Sequence, residues 1–157
     1  MGRMEIRHIR VRRGALDLEL AVALDVLHVS EEQADCVLSL LPNLSRHVCV
    51  NEHGDWFGDE IVGTELPHLL EHIIIELEGQ ACGNAGKPAG HSSWLEELGQ
   101  TAPEGYALMR TTVTFSNDFV ALQALKEALA IIDWVIDPRG LGDPDSDACS
   151  GRIRARA

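Results

Sequence analysis

The sequence is poor in aromatic residues: they make up 4% of it, with a single tyrosine. Its core must therefore be aliphatic. It has no C-x-x-C pair, so cysteine spacing offers no redox motif. Cys36, Cys49, Cys82 and Cys149 are expected as thiols in a reducing compartment, with Cys36 and Cys82 buried in or beside helices. No apolar run approaches the roughly 20 residues that span a bilayer, and the Arg-rich start has no apolar stretch of signal-peptide length. A cytoplasmic location is expected. Basic residues are scarce, with 13 Lys and Arg against 25 Asp and Glu and a formal net charge of -12. That balance argues against nucleic acid and anionic membrane as partners, because both need a basic footprint. There is no internal repeat. The cationic charge gathers at the ends, with five Arg in residues 1–13 and three in 151–157. This is read as solvated surface on a first strand rather than a binding arm.

What remains is an ordinary globular composition. The chain has 157 residues, 45% of them hydrophobic, enough for one domain with a real core. Glu5–Arg13 reads as a strand. Leu16, Leu18, Leu20, Val22, Leu24 and Val26 alternate along a second, the cleanest period-two signal present. Ser30-Glu31-Glu32-Gln33 is a capping box that opens a helix ended by Pro42. His47–Val50 is a short possible strand, and Asn51–Gly63 reads as a loop. Thr64 is expected to cap the next helix, to about Ala81, with Pro67 tolerated in its first turn. Residues 82–104 read mostly as loop, with one turn near Trp94–Leu98. Tyr106–Phe115 is a strand, and Asn117-Asp118 caps a last helix, Phe119–Ile136. Residues 137–157 carry no apolar period and are expected to be a disordered tail. The order β-β-α-(β)-α-β-α implies an α+β fold: an antiparallel sheet with helices on one face, over residues 1–136.

The informative segment is Thr64–Ala81. Advancing about 100° per residue from His68, Glu71 falls at about -60°, His72 at about +40° and Glu76 at about +80°. Leu66, Leu69, Leu70, Ile73, Ile74 and Leu77 lie between about 100° and 240°. One face is aliphatic; the other carries two histidines and several carboxylates. His68 and His72 stand one turn apart and can share a metal. His68-x-x-Glu71-His72 is the inverted zinc-peptidase motif, with two imidazole ligands and a glutamate as general base for a zinc-activated water. The motif fixes only three positions, so a solvated face of His–Glu pairs competes with it. A zinc site needs a third ligand. Glu76 ranks first as the nearest carboxylate in sequence, Cys49 second and His47 third. His91 sits in the following loop as a candidate substrate contact. Trp56-Phe57 reads as a lid, a partner contact or core.

Leu41-Pro42-Asn43-Leu44, His47, Cys49, Gly63-Thr64, His68-x-x-Glu71-His72 and Glu76-Leu77 together resemble the N-terminal domain of cyanophycin synthetase, over about residues 1–136. Pro103–Tyr106 and the last helix fit as well. The resemblance implies an accessory module, free-standing here, without the ATP-grasp and Mur-ligase-like domains that build the aspartate–arginine polymer. In some members that module carries a pitrilysin-like metallopeptidase site that cuts the polymer. Where the family has a basic, hydroxyl-rich loop of the type GRTR, this chain has Gly90-His91-Ser92-Ser93-Trp94. That implies a changed recognition loop, with His91, Ser92 and Ser93 as candidate substrate contacts.

The expectation is therefore a zinc-dependent metallopeptidase or amidase acting on a peptide or isopeptide bond, with aspartyl- or arginyl-type substrates first in view. Glu71 would be the base, and His68, His72 and Glu76 (or Cys49 or His47) the ligands. The alternative is a non-catalytic module that docks a peptide or a separately encoded ATP-dependent ligase. A homodimer is compatible with either.

Overall fold

The computed structural model describes residues 2–51, 54–83 and 88–138. Six strands and four helices are formed among them: β1 (Met4–Arg12), β2 (Ala15–Ala23), α1 (Glu31–Leu40), β3 (Val48–Asn51), β4 (Gly54–Trp56), α2 (Phe57–Glu60), α3 (Leu66–Cys82), β5 (Gly90–Trp94), β6 (Tyr106–Thr114) and α4 (Asp118–Ile136). The main sheet runs β1-β2-β6-β5, antiparallel throughout, and β3 and β4 form a separate hairpin. The fold is mixed α and β, with an antiparallel sheet, as the element order implied.

Period-two alternation holds on β2 from Leu16 to Val22, but the strand ends at Ala23: Leu24–Val26 is a 3-10 turn, and Leu24 is exposed. Leu16, Leu18, Leu20 and Val22 are all buried, facing the helices. They meet Leu66, Leu69, Leu70, Ile73 and Ile74 from α3 and Ala124, Leu125, Ala128 and Ile132 from α4. Full burial of one such aliphatic side chain contributes about 1.5–3 kcal/mol. The opposite face is not bare: Leu95, from a 3-10 turn over Leu95–Leu98, packs on Ala21 and Leu108.

Local signals set most boundaries. The Ser30 hydroxyl accepts from the Gln33 N–H, and the Gln33 side chain returns a bond to Ser30, a complete capping box. The Asn117 side chain accepts from the Val120 N–H at the start of α4. Helix α3 ends on Gly83 at φ 59°, a left-handed cap.

Three expectations need correction. Residues 51–63 are not all loop: β4 and α2 lie there. Residues 82–104 hold β5, whose pairing with Met109–Val113 makes it a strand despite a sequence with no β-branched residue. Thr64 does not cap α3; Glu65 is the cap position, without a side-chain bond, and the Thr64 hydroxyl is used elsewhere. The cysteines also differ from expectation. Cys49 and Cys82 are thiols, Cys82 only half-buried, while Cys36 is disulfide-bonded. Absence of C-x-x-C says nothing about a bond between residues distant in sequence. No helix among the described residues is long and apolar enough to cross a membrane. The expected tail falls, apart from Asp137 and Pro138, outside the described residues.

Candidate metal centre

Helix α3 carries its motif in its first two turns, where i, i+4 spacing stacks His68 and His72. Their Nε2 atoms come within 3.2 Å of one another. The strand β3 crosses in front of them and brings the Cys49 Sγ to 3.5 Å from His68 Nε2. One ligand atom from each of Cys49, His68 and His72 lies within 4.8 Å of the others. Tetrahedral zinc, with Zn–N near 2.0–2.1 Å and Zn–S near 2.3 Å, separates two nitrogens by about 3.3–3.4 Å and a nitrogen from a sulfur by about 3.5–3.6 Å. The 3.2 and 3.5 Å separations match that geometry. The donor set, two imidazoles and a thiol, is also one zinc prefers.

Glu76, ranked first as third ligand from the sequence, is committed elsewhere. Its Oε2 accepts from His47 Nε2 at 2.8 Å, and its Oε1 accepts from Gln80 at 3.1 Å and Asn43 at 3.4 Å. Burial pushes its carboxyl up, but the bonds from His47, Gln80 and Asn43 outweigh this and hold it below the ordinary value. His47 is committed as well, with its Nδ1 3.1 Å from His72 Nδ1. The helix-spacing argument favours Glu76 because it is near in sequence; in the fold it is the Cys49 Sγ that lies beside His68 Nε2.

The histidines are held from behind. Phe57 stacks on the His72 ring at 3.9 Å between centroids and 18° between planes. So Trp56-Phe57 divides its work: Phe57 is fully buried in the site and Trp56 is half-exposed. The Thr64 hydroxyl lies 2.8 Å from His68 Nδ1. Burial lowers the pKa of His68. Burial, with His68 and His47 as neighbours, lowers that of His72 to about 3. Both rings are therefore neutral at pH 7, the form that binds a metal.

Glu71 is buried beside the pair and faces β5. The Ser92 hydroxyl donates to its Oε2 at 2.7 Å and sits 3.0 Å from the Thr111 hydroxyl. Burial raises the Glu71 carboxyl to about 7, opposed by the Ser92 bond and assisted by the charge of Glu60. Glu60, on α2, was not read from the sequence as a site residue. It accepts from the Cys49 thiol at 3.0 Å, and its Oε1 lies 3.9 Å from His68 Nδ1. No sequence spacing signals it, since α2 is a single turn inside an apparent loop.

These groups line one cleft of about 850 Å³ between α3, the β3 strand and β5. Of the candidate substrate contacts, His91 and Ser92 line it and Ser93 does not. Among the described residues, Glu60, Glu65, Glu71 and Glu76 face it against one Lys or Arg, Arg46.

The family model for the cyanophycin synthase-like N-terminal domain matches residues 16–137. No curated protein matches the chain. The match takes in every strand and helix described here except β1 and the first residue of β2, and the chain belongs to this family.

Proposed function

We propose that the chain is a zinc-dependent hydrolase of peptide or isopeptide bonds. One observation carries the reading: His68 Nε2 lies at zinc-like separations from both the Cys49 Sγ and the His72 Nε2, and the three groups converge within 4.8 Å beside a buried carboxylate, Glu71. Cys49, His68 and His72 would hold the ion, leaving one of four positions open, as catalytic zinc sites do. Bound zinc supplies Lewis acidity, acidifying water and polarising a carbonyl. Glu71 does the proton work. Ser92 engages Oε2, so Oε1 takes the proton from the attacking water and returns it to the leaving nitrogen. A carboxyl raised to about 7 is matched to both halves of that transfer near neutral pH. The family likeness puts amides of aspartyl and arginyl units first among substrates, with the changed β5 sequence directing the choice among them.

A second reading has its own support. The matching family model describes the N-terminal domain of a synthase, which favours an accessory module that docks a peptide or a separately encoded ligase. The two readings separate in one experiment. Protein purified without a metal-chelate column is loaded with zinc and assayed against β-aspartyl-arginine oligomers, then a broad panel of amides. Stoichiometric zinc with turnover supports the hydrolase. Zinc without turnover on any amide favours the accessory module.

A further inference from the structure

His47 and Glu76 lie outside the Cys49–His68–His72 group, yet a hydrogen-bond chain ties both to it. We infer that they are positioning residues: a hydrogen-bond chain from Glu76 through His47 fixes His72 in the tautomer that presents a bare Nε2 to a metal. The inference deepens the zinc reading of the same site and rests on it for its purpose, though not for its test.

The argument is a matter of donors and acceptors. An ionised carboxylate only accepts. Glu76 Oε2 lies 2.8 Å from His47 Nε2, so that nitrogen carries the hydrogen. With His47 in its neutral form, which has one N–H and one bare nitrogen, the bare atom is Nδ1. It lies 3.1 Å from His72 Nδ1, and two bare nitrogens do not approach that closely without a hydrogen between them. The His72 Nδ1 therefore donates. A neutral His72 is then left with its lone pair on Nε2, the atom 3.2 Å from His68 Nε2. The same rule gives the metal-free His68 its hydrogen on Nε2, donating to the bare His72 Nε2 at 3.2 Å, with its Nδ1 accepting from the Thr64 hydroxyl at 2.8 Å; a bound metal would replace that one hydrogen. One carboxylate thus dictates the state of an imidazole it never touches. Gln80 and Asn43 donate to the Glu76 Oε1 at 3.1 and 3.4 Å, which holds the carboxylate in place.

The local sequence explains how both residues reach His72. His47 and Cys49 are separated by one residue in extended backbone, so both side chains point to the same side, toward α3. His72 and Glu76 are i, i+4 on α3, so both are met by that short run. H-x-C on one segment and H-x-x-x-E on the other place an inner ligand and an outer partner on each.

The test begins with the tautomers themselves. Long-range ¹H–¹⁵N correlation of ring nitrogens in the metal-free protein is expected to show His47 protonated at Nε2 and His72 at Nδ1, unchanged on adding zinc. A His72 protonated at Nε2, or a His47 protonated at Nδ1, overturns the inference, whether or not the protein hydrolyses anything. The second arm measures zinc affinity by competition with a chelator. His47→Phe keeps an aromatic ring and removes the acceptor; Glu76→Leu removes the far end of the chain. Each is expected to weaken zinc by about 10- to 100-fold. Glu76→Gln keeps an acceptor oxygen and is expected to retain most of the affinity. If Glu76→Gln loses zinc as completely as His72→Ala, Glu76 is a ligand and the inference fails. If His47→Phe binds zinc as the parent does, the chain has no positioning role and the inference fails.

Discussion

Gly90 lies directly against Glu71: a Cβ on Gly90 would stand 2.5 Å from the Glu71 Cγ and 2.7 Å from its Oε1. The reason for glycine here is space, since even one methyl group cannot share that volume with the carboxylate. Gly90→Ala is therefore expected to displace Glu71 from its Ser92 bond while leaving Cys49, His68 and His72 in place. Zinc content should stay near that of the parent, and hydrolysis should fall at least 10-fold, within the range for a misplaced general base. Unchanged turnover would show that the Glu71 position is immaterial to the reaction.

Glu71→Gln tests the chemistry of the same side chain rather than its place. The amide keeps the size and can still accept from Ser92, but it cannot take a proton. The variant should hold zinc as the parent does and lose about 100-fold or more in turnover. Loss of zinc would make Glu71 a ligand. Full activity would move the base to Glu60 or Glu65, which line the same cleft.

Cys49→Ser asks which third ligand is used. With cobalt in place of zinc, the parent should show a thiolate-to-cobalt charge-transfer absorption, and the serine variant should lack it. Zinc affinity should fall sharply, since a hard hydroxyl replaces a soft thiolate. A cobalt spectrum without a sulfur band in the parent would exclude Cys49 from the centre.

Glu78 offers a prediction about stability. It is 4% exposed, its Oε2 has no hydrogen-bond partner among the described residues, and burial raises its carboxyl to about 7 from an ordinary 4.5. A raised folded-state pKa means that the native state holds the proton more tightly than the unfolded one. Its contribution is complete below about pH 4.5, and it is lost as pH rises through about 7. The loss at pH 8 is about 2–3 kcal/mol. Glu78→Gln does not ionise, so it should melt higher than the parent at pH 8 and no higher at pH 5. Thermal denaturation at the two pH values checks this. An equal difference at both would mean that the carboxyl does not titrate in that window.

Much of the fold was legible, for reasons particular to each element. On β2 every second residue from Leu16 to Val22 is apolar, and one buried face leaves one register. Ser30 and Gln33 mark the start of α1 in the letters themselves. Strand β5 was not legible, because Gly90-His91-Ser92-Ser93-Trp94 has neither alternation nor β-branching. Its conformation is imposed by the β6 residues it pairs with. The site divides the same way. His68, Glu71 and His72 sit on one helix, so spacing alone brings them together. Cys49 lies 19 residues before His68, and its approach depends on how the β3–β4 hairpin folds over α3, which no local period encodes. Glu76 is i+4 from His72 on the helix surface, but its oxygens bond His47, Gln80 and Asn43, whereas Cys49 reaches the histidines from outside the helix.

The order of strands in the sheet also determines where this molecule can be gripped. β1 and β5 are its two outer strands, with β2 and β6 between them. At about 4.8 Å per strand they stand about 14 Å apart, and of these two edges it is β5 that lines the cleft. Val11 on β1 is half-exposed. A cysteine introduced there gives an anchoring point for a dye, a bead or a surface, with two whole strands between it and the β5 edge of the cleft. A probe attached at Ser92 or His91 would instead report on the cleft itself, so the two edges give an instrument and its control on the same protein.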